Sequence, residues 1–284
     1  MAKKNPLRSF PGVRLTGLFF FAYLYLPIFV LIGLSFNENR AATIWTGFSI
    51  DWYFAAFRNK FILQAMQNSL IVAVVATLVA TTLATVAALG MARRFRGQNG
   101  ASAILAMPLI VPEVVTAVAS LLFFAMLGMK LGLLTVMIAH TVFCIPFAYL
   151  PIRARIEGMD KSLPEAAADL YADEWRTFWR VTFPLLWPGI MSGAMLAFII
   201  SLDDFVITFF VTGAGASTLP VYMFTLIRTG VSPEVNAVSS VMLVISIIFV
   251  SLSFFLSRRR ESPVTRREQQ ASYDEKPLEE AHQT

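Results

Sequence analysis

The stretch EAAADL, residues 165–170, is a polar, alanine-rich segment between two strongly hydrophobic ones. It lies in a long charged connection, Arg153–Trp187. Ser162 and Glu165 fit a capping box, in which each side chain binds the other residue's backbone N–H at a helix start. The pattern predicts a helix from about Leu163 to Ala172. Because such a helix exposes alanines outside the membrane, we expect it to dock into a groove on a soluble partner.

A second helical stretch is predicted after this one. It covers Glu174–Thr182 and is expected to end before Pro184, since proline in a helix interior removes a hydrogen bond.

The rest of the chain is strongly apolar, with 57% hydrophobic and 14% charged residues. A helix needs about 20 apolar residues to cross a bilayer. Six segments qualify, and they lack the alternation of barrel strands. We therefore predict an all-α membrane protein with six transmembrane helices. The segments are Leu15–Phe36, Ser69–Ala92, Ala101–Leu127, Leu131–Ile152, Pro188–Val211 and Val235–Ser257.

The distribution of basic residues predicts the orientation. With both termini in the cytoplasm, 18 of the 23 lysine and arginine residues lie on the inside. Anionic lipid explains this basic charge, so no nucleic-acid partner is expected. The predicted organisation is a cytoplasmic N-terminus over residues 1–14, one membrane domain over 15–257, and a charged, disordered cytoplasmic tail over 258–284. The connection at 153–187 is the long cytoplasmic loop.

Three carboxylates fall inside the predicted spans: Glu113, Asp203 and Asp204. A charged group at mid-membrane costs roughly 2.5–3.5 kcal/mol on insertion scales. No lysine or arginine lies in any span, so these groups are protonated, face a wet cavity, or meet a cationic substrate such as a linear polyamine. Adjacent helix residues point about 100° apart. We therefore expect one of the two aspartates to face substrate and the other to hold a neighbouring helix or loop; the alternative is that both are structural.

Two further features support a cation path. Pro108 and Pro112 precede Glu113 and free backbone carbonyls beside it, although a simple kink would also explain them. Tyr23 and Tyr25 lie mid-span in the first segment. Tyr25 is the better candidate for the path, where an aromatic ring attracts an ammonium group.

The sequence contains no sign of enzymatic chemistry. It lacks a phosphate-binding G-x-x-x-x-G-K-[ST] motif and any metal-ligand spacing, so neither a catalytic residue nor a metal or other cofactor is expected. His140 is predicted to be a hydrogen-bonded interior residue.

The connection also carries a recognisable pattern. Glu165-Ala166-Ala167 with Ala172, the FPL stretch at 183–185, Pro188 and Gly193 resembles the "EAA" loop of ABC importer permeases. The resemblance implies a type I importer permease fold at the bacterial inner membrane. It also implies that the loop couples to a separate ATPase, which binds the ATP and magnesium, through six residues: Glu165, Ala166, Ala167, Asp169, Leu170 and Tyr171.

Other motifs narrow the resemblance to the second permease subunit of bacterial spermidine/putrescine transporters. These motifs are SLDDFV at 201–206, TLP at 218–220, GVSPEVNA at 230–237, Phe36-Asn37 and Trp52-Tyr53. The implied partners are a second, similar permease, two ATPase subunits and a periplasmic polyamine-binding protein. One departure is Tyr171, where the family usually has a glycine; we expect tyrosine to extend or reshape the end of the coupling helix.

Two alternatives stay open on the sequence alone. The first is an ABC permease for another solute, such as ferric iron, sulfate or an amino acid; three unpaired acids argue against sulfate. The second is a proton-coupled secondary transporter that uses Glu113, Asp203 and Asp204, in which the loop at 153–187 would have no purpose.

Overall fold

The computed structural model describes residues 11–41, 44–93, 95–160, 162–230 and 233–258. In these ranges the regular elements are helices, accompanied by an antiparallel bridge between Asn37 and Phe48. The helices are α1 (Pro11–Leu34), α2 (Asp51–Arg58), α3 (Lys60–Ala92), α4 (Gln98–Ile110), α5 (Glu113–Met126), α6 (Leu133–Glu157), α7 (Ser162–Asp169), α8 (Glu174–Thr177), α9 (Phe183–Asp203), α10 (Val206–Val211), α11 (Leu219–Thr229) and α12 (Pro233–Arg258). The predicted all-α class is confirmed.

Five helical stretches are long and apolar enough to cross a membrane, and a broken pair brings the number to six. The pair is α4 and α5, which meet at an angle of 107°. The single span predicted over Ala101–Leu127 is therefore wrong in detail. Pro112 explains the break, because a residue before proline is pushed out of the helical region, and Val111 is extended there.

The connection between α8 and α9 also departs from the prediction. The helix does not end before Pro184 but widens into a π turn over Phe178–Thr182 and continues as α9. In this turn the Phe183 N–H donates to the Phe178 carbonyl, five residues back. The wider turn accommodates a proline, which has no N–H and whose ring clashes with a normal helical turn. Helix thus extends from Glu174 to Asp203.

The chain divides into two compact units, and α3 and α12 each contribute to both. The first contains residues up to 66 and 219–245. Its core joins α2, α3, α11 and α12 through Ala56, Ile62, Leu219 and Val238. α11 is a short amphipathic helix.

Two motifs of the resemblance meet within this first unit. Asn37 is fully buried; its Nδ2 donates to the Ile44 carbonyl at 2.8 Å, and its own carbonyl accepts from Trp52 Nε1 at 2.8 Å. Ser35 Oγ lies 2.7 Å from the Tyr53 hydroxyl. These bonds fold the loop after α1 onto itself.

The second unit contains residues 67–218 and 246–258, and its centre is the pair α6 and α9. Three alanines of α3 recur every four residues and are buried beside Ala148 of α6 and Ala197 of α9; they are Ala80, Ala84 and Ala88. Small residues at this spacing let helices approach closely in lipid. The approach of α6 and α9 is closest at Gly193, where an added Cβ would lie 2.5 Å from the Ala148 carbonyl oxygen.

Residues 1–10 and 259–284, which form most of the predicted N-terminal segment and tail, lie outside the described residues.

Candidate functional site

The central feature of the second unit is the break between α9 and α10. α9 ends at Asp203, and Asp204 has an extended backbone that turns the chain into α10. The Asp204 carboxylate accepts the N–H groups of Ile207 at 3.1 Å and Thr208 at 3.1 Å. It therefore caps the start of α10 from the residue before the N-cap Phe205, by binding backbone N–H groups that have no partner within the helix.

A histidine of α6 completes this arrangement. His140 is 1% exposed, and its Nδ1 lies 2.8 Å from Ser201 Oγ on α9. Its Nε2 lies 2.8 Å from Thr208 Oγ1 and 3.0 Å from Asp204 Oδ2. The Thr208 hydroxyl donates to the same Asp204 oxygen. Nε2 thus faces two acceptor oxygens, which assigns the ring proton to Nε2 and leaves Nδ1 to accept from Ser201 in the neutral imidazole.

The two other acidic residues lie at the edge of this network. Glu113 occupies the first turn of α5, is half-buried, and its side chain lies next to that of Asp204. Asp203 is exposed, whereas the Asp204 side chain is only 2% exposed. Among the described residues neither Glu113 nor Asp203 forms an ion pair with a lysine or arginine. The structure therefore separates the two aspartates: Asp204 binds neighbouring helices, and Asp203 faces outward.

Three residues of this network escaped the sequence analysis as a group: His140, Ser201 and Thr208. His140 was expected to be an interior hydrogen-bonded residue, which is confirmed, but its partners were not predicted. One usable signal existed. Asp204 followed by Thr208 fits a capping aspartate whose helix carries a hydroxyl one turn later. The link to His140 depends on tertiary packing.

The second candidate site is α7 with the residues that follow it. α7 packs on α8 and the π turn. The helix begins at Ser162, whose N–H donates to Asp160 Oδ1 at 2.9 Å. Ser162 therefore lies inside the first turn, and the predicted capping box with Glu165 is wrong. The donated N–H holds the pKa of the Asp160 carboxyl below its usual range.

The end of α7 is formed by the unusual Tyr171. The helix ends at Asp169, earlier than the predicted Ala172. Tyr171 has a left-handed backbone with φ of 59°. The Ala172 N–H donates to the Ala167 carbonyl at 3.0 Å, and the Tyr171 N–H to that of Ala168 at 2.9 Å. This bond pair is a Schellman motif, so tyrosine terminates the helix where glycine usually does rather than extending it.

The predicted coupling residues form an exposed surface. Glu165, Ala166 and Asp169 are exposed, and Ala167 is half-buried. Leu170 is 82% exposed and Tyr171 97% exposed. Trp175, 71% exposed, adds a large apolar side chain that the sequence analysis did not single out.

Replacing Tyr171 by glycine should make the end of α7 more stable. A side chain in the left-handed region costs roughly 1–2 kcal/mol, and part of that gain is offset by the extra freedom of unfolded glycine. We expect the Ala172 amide to exchange with solvent roughly three- to fivefold more slowly by hydrogen-exchange mass spectrometry. Tyr171→Ala is the matched control, because it removes the ring but keeps the backbone strain. Equal exchange rates in the glycine and alanine variants would contradict the strained geometry.

Tyr25, the aromatic candidate for the path, lies on α1. It is 47% exposed and stacks on Phe21 with ring centroids 6.3 Å apart. α1 has no buried residue in its apolar window. The role of Tyr25 stays a prediction.

Comparison with known proteins places the chain in a family. Residues 80–266 match the model of the binding-protein-dependent transport system inner membrane component. The chain belongs to this family. It is 39% identical over 240 residues to the spermidine/putrescine transport system permease protein PotC of Haemophilus influenzae, covering 84% of this chain and 93% of that protein. It is 38% identical over 249 residues to the putrescine transport system permease protein PotI of Escherichia coli, covering 85% and 89%. The resemblance to this permease family is thus confirmed.

Solved structures agree on the fold. A bacterial ABC transporter involved in the import of alginate matches with a TM-score of 0.66 at 18% identity, over 92% of this chain and 99% of that one. An amino acid ABC transporter matches with a TM-score of 0.59 at 17% identity, over 74% and 99%. At these identities the likeness concerns the fold alone, and it confirms the predicted ABC importer permease fold.

Proposed function

We propose that this chain is a permease subunit of an ATP-driven polyamine importer and forms half of its translocation path. One observation carries the proposal: permeases of spermidine/putrescine and putrescine transport systems are 38–39% identical to it over 84–85% of its length. The acidic site agrees with a cationic substrate, since Asp203 is exposed and Glu113 only half-buried. A flexible polyamine would pass its ammonium groups along these carboxylates. Separately, the Tyr25 ring on α1 would offer a cation–π contact to an ammonium group.

In the proposed importer, ATP hydrolysis by a partner subunit would act on this chain through α7. In this proposal Glu165, Ala166, Ala167, Asp169, Leu170 and Tyr171 contact an ATPase subunit, which binds ATP and magnesium and carries out all the catalysis. Two such subunits, a second homologous permease and a periplasmic polyamine-binding protein would complete the importer. ATP-driven closure of the ATPase pair would move α7 and switch the path from outward- to inward-facing.

Uptake in a strain that lacks this chain tests the proposal. Restoring the chain should restore uptake of radiolabelled putrescine or spermidine, and uptake should require a co-purifying ATPase with intact ATP hydrolysis. An unrelated cation, such as radiolabelled lysine, is the substrate control. Restored lysine uptake without polyamine uptake would refute the proposed substrate.

A second candidate function is proton-coupled secondary transport. The buried network of Glu113, His140 and Asp204 favours it, because intramembrane carboxylate and histidine chains serve as proton relays. The purified chain in liposomes separates the two functions. We expect it to transport nothing under a pH gradient alone; polyamine uptake driven by the gradient without an ATPase would overturn the importer proposal.

A further inference from the structure

We infer that His140 is a positioning residue that clamps the α9–α10 break and thereby presents Asp203 to the cationic substrate. The inference rests on the proposed function for its substrate, but its structural basis is independent. His140 comes from a third helix, α6, and contacts both sides of the break. Nδ1 binds Ser201, in the last turn of α9, while Nε2 binds Asp204 at the break and Thr208 on α10.

The contacts of His140 at the α9–α10 break are shielded from solvent. The side chains of His140 and Asp204 are 1% and 2% exposed, so water cannot replace their bonds. α6 holds α10 at its other end as well, where Thr135 Oγ1 donates to the Val211 carbonyl at 2.8 Å. α10 is therefore fixed to α6 at both ends, and the direction of the chain at Asp203 depends on the His140 end.

The clamp also assigns different tasks to two adjacent carboxylates. Asp204 is fully occupied by His140, by Thr208 and by the backbone of α10. Asp203 is the last residue of α9 and is exposed. If His140 released Asp204, the buried carboxylate would seek other partners, α10 would reorient, and Asp203 would lose its fixed direction.

Cysteine accessibility in the full-length chain, in native membrane fragments that expose both membrane faces to the reagent, tests the clamp. Asp203→Cys in a Cys144→Ala background should react with a positively charged, membrane-impermeant thiosulfonate. Adding His140→Ala should slow that reaction roughly tenfold, because a buried hydrogen bond holds position 203 in its exposed direction and its loss changes the population of that arrangement by about this factor. His140→Gln places an amide nitrogen where Nε2 lies and should keep the rate within about twofold. His140→Asn reaches only Ser201 and should behave like alanine.

Two controls separate positioning from loss of packing. Cys144, the only native cysteine, is buried one turn from His140 on α6. In a chain that retains it, His140→Ala should leave Cys144 unreactive. Glu157→Cys, exposed at the end of α6, should react equally fast with and without His140→Ala.

Three results would overturn the inference: an unchanged rate at position 203 in His140→Ala, equal slowing by glutamine and alanine, or exposure of Cys144. Failure of the proposed substrate gives a different result. If the chain does not restore polyamine uptake in the deletion strain while the histidine series holds, the polyamine assignment fails and the clamp stands.

Discussion

Polyamine uptake should fall to background when Glu165 is replaced by lysine. Glu165 is exposed on α7, beside the large apolar surface of Leu170 and Tyr171. If this surface docks on an ATPase, charge reversal places a like or unmatched charge inside the contact. Substitutions at the centre of a docking surface typically reduce the binding free energy by more than about 2 kcal/mol, which weakens binding more than roughly 30-fold. Uptake in whole cells and co-purification of the ATPase are the two measurements.

Membrane insertion should be unaffected, because Glu165 is outside the helices that qualify as spans. Glu157→Lys is the matched control. It makes the same charge reversal at an exposed residue whose partner is Arg153, four residues away on the same helix. Exposed ion pairs of this kind contribute little to stability, so uptake should stay close to that of the wild type. Wild-type uptake in Glu165→Lys would refute the docking role of α7.

The variants Asp203→Asn and Asp204→Asn should fail in different ways. Asp203 is exposed, so its loss should lower polyamine uptake roughly tenfold or more while the melting temperature stays near that of the wild type. Asp204 accepts two backbone N–H groups and contacts His140. An amide there turns a donor toward Nε2–H, and losing bonds to a buried carboxylate costs about 1.5–3 kcal/mol.

Uptake and thermal unfolding in detergent, measured on both variants, separate these outcomes. Asp204→Asn should melt several degrees lower, whereas Asp203→Glu should retain part of the uptake because it keeps the charge. Wild-type uptake in both asparagine variants would remove the two residues from the path.

Much of this architecture could be predicted from the chain because it depends on local pattern. Apolar length located the spans, but the prolines before Glu113 were read within a single span, which the structure breaks between α4 and α5. The sequence also predicted that Asp203 and Asp204 point apart, but in the structure this results from the end of α9 at Asp203 and the extended backbone of Asp204, not from the step of about 100° between helix neighbours.

What failed depends on geometry that a linear pattern does not contain. Pro184 was read as a helix end, but the π turn over Phe178–Thr182 accommodates its ring. Tyr171 was expected to extend or reshape the end of α7, yet it adopts the backbone of the glycine that it replaces. The contacts of His140 needed the positions of three helices, which no spacing rule supplies.

The pairing of α6 with α9 has a mechanical consequence. At one end Arg155 Nε donates to the Leu185 carbonyl at 2.8 Å; at the other His140 meets Ser201 at 2.8 Å, roughly 22 Å further along the helix. Between these two contacts, the absence of a side chain at Gly193 lets α9 approach the Ala148 carbonyl of α6 closely. Sliding one helix along the other would disrupt all three contacts, so we expect α6 and α9 to move as one rigid unit. A displacement of α7 would therefore rotate α6 and α9 together and move the break between α9 and α10.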